Sequence, residues 1–423
     1  MDNLFKFTKA ASPRLQNEIN TSVIFNYLRE KETISRIKVS KDLKISPPAV
    51  SRAIAKLIKE GYVRETKKEK TKKGKWPILL RLNEKKGYVI GIDLGKEKLK
   101  MALANYNCEI VKEHQGFKIS NDSNVEDKLK EEIGYFIKKV TQNKFIKNKI
   151  EAIYIGIPAV VDIDSGKIIR APLYNNWKNL NFKKILEDEF NIPVYVENDV
   201  KLSSLGEKNY GKGKNFRDIV FLEISNGIGA GIINDNKLLR GVHGSAGEIG
   251  FSIIGTENLG FRVKEKGLLE RFASVEGLKK EAIKAIKNGV KTKITGTVNG
   301  DLEKIEPNLI FEAAIGNDKL AKSLIEEMTN SLSVGIINLI LILDPQIIFL
   351  GGDITKLSYV DELFLKSIIK KVKSSIPFRI PKIELSSLGE NAGIIGACYM
   401  AVESIISESF PYKIEKKVSS QEL

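Results

Sequence analysis

The chain has 423 residues, 42% hydrophobic and 29% charged, enough apolar content to build real cores and to exclude wholesale disorder, and long enough for two to four domains at about 100–200 residues each. Its two cysteines, Cys108 and Cys398, belong to no Cys-x-x-Cys pair, which argues against a disulfide scaffold or a thiolate metal site and for a reducing cytoplasm. The 69 Lys and Arg against 53 Asp and Glu leave +16, but residues 1–86 hold 22 basic and 9 acidic residues (+13) while the other 337 hold 47 and 44 (+3). A small basic head on a nearly neutral body reads as a polyanion binder fused to a globular domain.

No continuous apolar stretch in residues 1–15 suggests a signal peptide. The greasiest run, 334–343, is about half of what spans a bilayer and is interrupted by Asn338. No membrane is therefore expected as a partner.

In the head, residues 17–30 place Ile19, Val23, Ile24, Tyr27 and Leu28 on one helical stripe. Residues 34–43 form a second short helix, with Ser35 a candidate cap and Ile37 and Leu43 facing inward. After a turn at Lys44-Ile45, Ser46-Pro47-Pro48 opens a third helix: Ser46 is placed to accept from free amides, and proline is tolerated in a first turn. There Val50, Ile54, Leu57 and Ile58 make the buried stripe, Ser51, Arg52, Lys56 and Lys59 face out, and Gly61 ends the helix.

Two helices around a tight turn, the second with Ser and Arg on its free face, form a helix-turn-helix pattern. An ordinary three-helix bundle would share it. The β-prone runs 62–66 and 76–82 flank 67–75, which carries six lysines around Gly74, and a basic hairpin after a recognition helix reads as a wing over the phosphate backbone. Double-stranded operator DNA is the expected partner, with Ser51 and Arg52 at base edges and Ser46, Lys56, Lys70, Lys72 and Lys73 completing the DNA-binding set.

The body alternates strands and helices. Residues 88–95 (YVIGIDLG) are a buried strand ending in Asp93-Leu94-Gly95, followed by a strand at 99–104, a helix at Val125–Thr141, a strand at 153–156 and the turn Ile157-Pro158. A strand at 194–196 runs into Glu197-Asn198-Asp199, and Ile219–Ile224 opens onto a glycine loop at 225–231 containing Gly227 and Gly229. A long helix at Lys319–Leu343 precedes a strand at 347–350 and the turn Gly351-Gly352. Strands ending in Asp or Gly turns predict an α/β, two-lobed fold of the actin/hexokinase kind, although each glycine motif alone is weak because turns need Gly for backbone reasons.

Taken in order, 88–95, 155–162 (IGIPAVVD), 197–199, 224–232, 244–250 (GSAGEIG) and 348–352 resemble the ROK family of repressors, open reading frames and sugar kinases. The repressor members carry a winged helix-turn-helix ahead of a kinase-like body. The resemblance implies a DNA-binding domain over 1–83, a sugar-kinase-like effector domain over 84–410, and a polar tail over 411–423. It also implies a sugar site built from Asn198, Asp199, Glu248 and Glu270, with Asp199 the general base in members that phosphorylate sugar.

Departures from the family pattern modify that expectation. Asp-x-Gly-Gly-Thr, which holds ATP phosphates in the kinases, becomes Asp93-Leu94-Gly95-Lys96-Glu97, and the second loop, Gly-Thr-Gly, becomes Ser225-Asn226-Gly227. Loss of a glycine and a hydroxyl, with a new carboxylate that Lys96 offsets only electrostatically, weakens phosphate binding. The four zinc-ligand positions hold Phe251, Phe261, Val263 and Leu268, none with a lone pair to give, so no cofactor is expected and an apolar plug replaces the metal. His114 and His243, the two histidines, stand at no metal position.

Three functions remain to be weighed: an active sugar kinase with Asp199 as base, a DNA protein indifferent to sugar, and a sugar-responsive repressor. Only the last accounts together for the head, the retained polar pocket and the altered phosphate loops. A single head reads one half-site, so a homo-oligomer, dimer or tetramer, is expected, with residues 81–86 joining each head to its body.

Overall fold

A computed structural model describes residues 13–29, 31, 33–66, 78–95, 98–118, 124–172, 174–255, 259 and 267–409. The wing lysines Lys70, Lys72 and Lys73, the loop residues Lys96 and Glu97, two of the former zinc positions, Phe261 and Val263, and the tail 411–423 lie outside them.

The head comprises α1 (Pro13–Arg29), β1 (Ile34–Ser35), α2 (Arg36–Leu43), α3 (Pro47–Lys59), β2 (Val63–Glu65) and β3 (Leu79–Leu82). Its sheet runs β1-β3-β2, so the two strands flanking the wing gain a third partner from the start of the second predicted helix. That helix begins only at Arg36, with Ser35 capping it by accepting from the Lys38 amide. The shift turns Ile37 outward, 76% exposed rather than buried, and makes Val39 and Ile34 the inward residues. Val23 likewise faces solvent, while Phe25 is buried edge-on to Tyr62.

Ser46 occupies the N-cap of α3, but its side chain caps nothing. Pro47 and Pro48 have no N–H to donate, and the first turn is closed by the Ser46 carbonyl accepting from the Val50 amide at 3.0 Å. Val50, Ala53, Ile54 and Leu57 are buried, and Ser51, Arg52 and Lys59 point outward. Gly61, at φ 81°, ends the helix in the left-handed conformation that glycine adopts freely.

The body is one plan used twice. The first lobe contains β4 (Tyr88–Asp93), β5 (Lys98–Asn105), β6 (Ile110–Lys118), α4 (Val125–Thr141), β7 (Ile150–Ile157), β8 (Val160–Asp162), β9 (Lys167–Arg170), α5 (Phe182–Phe190) and β10 (Val194–Asn198). Its main sheet runs β10-β7-β4-β5-β6, with β4 parallel to β7, β7 parallel to β10, and the β4-β5-β6 meander antiparallel.

Helix α6 (Asp199–Tyr210) crosses to the second lobe, made of β11 (Ile219–Ile224), β12 (Ile228–Asn234), β13 (Lys237–Leu238), α7 (Leu268–Ala273), α8 (Val275–Lys287), α9 (Ile294–Thr297), α10 (Pro307–Ile315), α11 (Lys319–Leu343), β14 (Ile347–Gly351), α12 (Lys366–Ser375) and β15 (Lys382–Leu385). The sheet β13-β12-β11-β14-β15 repeats the same parallel and antiparallel pattern. Helix α11 is long and apolar enough to cross a membrane by composition, yet 56% of its apolar window is buried among neighbouring helices. α13 (Ala392–Ser409) closes the chain's described part.

One expectation is corrected by β12. The sequence pattern puts Gly229 and Gly231 in a loop; both are strand residues, Gly229 opposite Glu223 and Gly231 opposite Phe221. Their missing side chains admit α6: a Cβ on Gly231 would lie 2.4 Å from Ser204 Cβ, and one on Gly229 3.1 Å from Val200. The true turn is only Ser225-Asn226-Gly227.

Candidate functional site

The strand ends of both lobes meet at one cleft. It is lined by Gly95, Pro158–Val160 and Asn198-Asp199 from the first lobe, and by Glu223, Ser225–Gly229, Glu248, Phe251, Glu270 and Asp353 from the second. The four expected sugar residues, Asn198, Asp199, Glu248 and Glu270, are thus brought together from three separate stretches of chain.

Asn198 is the N-cap of α6, its Oδ1 accepting from the Lys201 amide at 3.1 Å. Asp199 Oδ1 accepts from the Val200 amide at 2.9 Å and from Asn198 Nδ2 at 3.2 Å. Oδ2 lies so close to Gly95 that a Cβ there would stand 2.1 Å away. The contacts with Val200 and Asn198 thus use Oδ1 of Asp199, while Oδ2 faces Gly95. Burial raises its carboxyl well above the ordinary aspartate range, and the neighbouring carboxylates of Glu223, Asp93 and Glu248 push in the same direction.

Glu270 lies in the first turn of α7, and its Oε2 accepts from the Ile228 amide at 3.3 Å. Glu248 is raised by burial, partly offset by the cationic Lys201 and by Arg170, with Glu270 adding repulsion. Lys201 and Arg240, absent from the sequence-derived set, hold the loop that carries Glu248. Lys201 is buried and donates to the Gly244 carbonyl, and Arg240 Nε is 2.6 Å from the buried Glu197 Oε2. Each contact ties an element of the first lobe or α6 to the segment after β13. Burial lowers the Lys201 ammonium, opposed by the surrounding carboxylates.

The positions that resemblance matches to the phosphate loops turn back on their own carboxylates and amides. Asp93 Oδ1 accepts from the Gly95 amide at 2.8 Å, turning the loop on itself. Ser225 Oγ donates to Glu223 Oε1 at 3.3 Å and accepts from the Asp353 amide at 2.9 Å. Gly351 ends β14, and Gly352, at φ 85°, packs its backbone on Ser225. Glu223 and Asp353 were missed by sequence reading, since neither belongs to a recognisable motif. With them the described lining holds five carboxylates, Asp199, Glu223, Glu248, Glu270 and Asp353, and no Lys or Arg.

At two of the positions that resemblance matches to zinc ligands, Phe251 lines the cleft with the Arg170 guanidinium 4.6 Å over its ring, and Leu268 is buried at the start of α7. Among the described residues no cluster of three metal-ligating side chains occurs. His114 sits on β6 with Nε2 2.7 Å from Glu132 Oε2, and His243 is exposed.

Two family models match the chain, the ROK family over residues 89–404 and a winged helix-turn-helix DNA-binding model over 20–64. The chain is 33% identical to the xylose repressor of Caldicellulosiruptor bescii, covering 93% of this chain and 98% of that protein. It is 28% identical to the xylose repressor of Bacillus subtilis over 92% and 96%, and 26% identical to the N-acetylglucosamine repressor of Escherichia coli O6:H1 over 84% of each. Among solved structures it superposes on a ROK family transcriptional regulator with a TM-score of 0.78, 24% identity and coverage of 94% and 98%. On a ROK family glucokinase from Streptomyces griseus, in complex with glucose and AMPPNP, the TM-score is 0.63 with 25% identity, covering 75% of this chain and 100% of the enzyme. A winged head ahead of a duplicated two-lobed body, matched along almost its whole length, makes this chain a member of the ROK family.

Proposed function

We propose that the protein is a transcriptional repressor of carbohydrate-utilisation genes whose effector is an uncharged sugar bound in the interlobe cleft, with D-xylose the first candidate. The observation that carries this reading is the cleft lining itself. Carboxylates and an amide suit the vicinal hydroxyls of a sugar, whereas five carboxylates, with no Lys or Arg in the described lining, disfavour phosphate. The relatives named for xylose favour the pentose, and the winged head supplies operator binding.

Phosphotransfer, with Asp199 as base, is disfavoured by the same lining. A kinase must stabilise a tetra-anionic nucleotide, and Glu223 and Asp353, bonded to Ser225, add negative charge to the same cleft. Phe251 and Leu268 give zinc nothing to bind, so the response needs neither metal nor nucleotide. A homo-oligomer working in the cytoplasm completes the proposal, because a single head covers one half-site.

The test is calorimetry with D-xylose and D-glucose plus an operator shift assay, in EDTA and without nucleotide. Sugar should bind and change operator affinity by about 5–150-fold, downward. A response that requires ATP, or no binding of either sugar, overturns the reading.

A further inference from the structure

The head does not hang from residues 81–86 alone. Its core is continuous with that of the body: Ile24, Phe25, Leu28, Leu57 and Tyr62 share one apolar cluster with Ala397, Ala401, Val402 and Ile405 of α13. At the boundary Arg29, the last residue of α1, places Nη2 2.7 Å from Glu403 Oε1, and its guanidinium lies 4.7 Å over the Tyr399 ring. Tyr62 Oη is 2.8 Å from Ser409 Oγ, at the far end of the same helix.

The Arg29 side chain is 8% exposed, and its Nη1 is buried with no hydrogen-bond partner among the described residues. A buried cation satisfied on one arm is costly. The contact fixes the orientation of α1 relative to α13.

The other end of α13 is pinned across the cleft. Glu390, in the turn that leads into the helix, takes Lys100 Nζ of β5 at 2.6 Å on Oε2 and Lys356 of the second lobe on Oε1. Lys356 also reaches Asp353, a cleft residue, at 2.9 Å. One carboxylate therefore joins both lobes to the start of α13. Beside it, Gly393 packs against Asp93, a Cβ there falling 2.7 Å from Oδ2. Along its length α13 meets α6, which begins at Asp199, backbone to backbone: a Cβ on Gly396 would lie 1.8 Å from the Leu202 carbonyl oxygen and one on Gly206 2.2 Å from that of Ala392.

Eighteen residues at 1.5 Å each make α13 about 27 Å long, and its two ends touch the lobes and the head respectively. We propose that α13 carries the state of the cleft to the DNA-binding head, with Glu390 reading the lobe geometry at one end and Glu403 holding Arg29 at the other. Arg29, Glu403 and Lys356 are then positioning residues for the effector response, touching neither sugar nor DNA. The proposal rests on the cleft being the effector site. A sugar gripped by both lobes changes their spacing; Lys356 and Lys100 pull Glu390 accordingly; α13 moves with α6, and the Arg29 contact passes the displacement to α1. Because a ligand shifts an equilibrium only through contacts that differ between its two states, severing either end should uncouple the sites while sparing both.

The experiment measures three quantities in wild type, Arg29→Met, Glu403→Gln and Lys356→Met: the D-xylose and D-glucose dissociation constants, the operator dissociation constant without sugar, and the operator constant at saturating sugar. Thermal melting checks the fold; Lys356 is 46% exposed and Glu403 24%, so Lys356→Met and Glu403→Gln keep the test alive should Arg29→Met misfold. Sugar binding and sugar-free operator binding should stay within about threefold of wild type, while the sugar-induced change in operator affinity collapses from about 5–150-fold to less than about twofold. Combining Lys356→Met with Glu403→Gln should add nothing further, since both cut one path. A full sugar response in the folded variants overturns the proposal. So does a response that falls only in proportion to sugar affinity, which would make these residues merely structural. Absence of sugar binding in wild type overturns the effector reading instead, and calorimetry on the unmutated chain reports that separately.

Discussion

Gly95 and Asp199 pack against each other on the first-lobe wall of the cleft with no room for a side chain between them: a Cβ on Gly95 would sit 2.1 Å from Asp199 Oδ2 and 2.9 Å from its Cβ. The carboxylate that resemblance assigns to the sugar is thus held between the Val200 amide and the bare backbone of the first phosphate loop. Gly95→Ala should turn Asp199 out of position and abolish the sugar response, as should Asp199→Ala, leaving sugar-free operator binding unchanged. Calorimetry and operator shift on both variants check this; a response that persists in Asp199→Ala removes the residue from the site.

Asp199 also has a pH signature. Its folded carboxyl is raised above the ordinary value, so the folded state holds the proton more tightly than the unfolded chain does. The stability this group contributes is complete below the unfolded pKa and is lost as pH rises through the raised folded one. Asp199→Asn removes that loss. Its melting temperature should therefore exceed that of wild type by a margin that widens as pH rises above about 4, reaching of order 1–3 °C. A constant margin would mean the carboxyl titrates normally.

Glu223 is bonded to Ser225, in the turn that resemblance matches to the second phosphate loop. Wild type should bind D-glucose in preference to glucose 6-phosphate. Glu223→Gln should narrow that preference by about tenfold, which is about 1.4 kcal/mol, chiefly by improving the phosphate ester. Titrating both ligands into both proteins decides it; an unchanged ratio would place the ester's charge away from Glu223.

At the head, Arg52→Ala should cost about 1–3 kcal/mol on the operator and little on random DNA, because Arg52 stands exposed on the free face of α3. Replacing Lys70, Lys72 and Lys73 with Ala should weaken both DNAs alike and flatten the logarithmic salt dependence by up to about 0.9 for each phosphate that is no longer neutralised. Equal losses from Arg52→Ala on both DNAs would reduce it to a phosphate-binding residue, and an unchanged slope would leave the lysines a solubility feature.

Much of this architecture was legible because periodicity and punctuation agreed. The stripe Val50, Ile54, Leu57 with Gly61 after it marks α3, and the strand running into Glu197-Asn198-Asp199 marks both a helix cap and a cleft residue. What escaped was set by tertiary contact. Gly229 and Gly231 look like loop residues, yet they are strand glycines chosen by the approach of α6. Ser46 has the right side chain for a cap but faces two prolines that cannot donate. Ile37 satisfies a helical spacing that fails once β1 takes the first two residues. α13 hides for a different reason: it is buried on several sides, so no single apolar stripe sets it apart, and Gly393 and Gly396 lower its helical propensity. Glu223, Asp353, Lys201 and Arg240 join the site only when two lobes close on it.

The glycine crossing of α6 and α13 has a mechanical consequence. Where Gly206 and Gly396 let two backbones touch, no side chain remains to flip between rotamers and absorb a displacement, so strain entering one helix leaves through the other undamped. Paired in this way, the two helices should move as one, and their facing amides should open to solvent only together, among the slowest exchanging of the described residues.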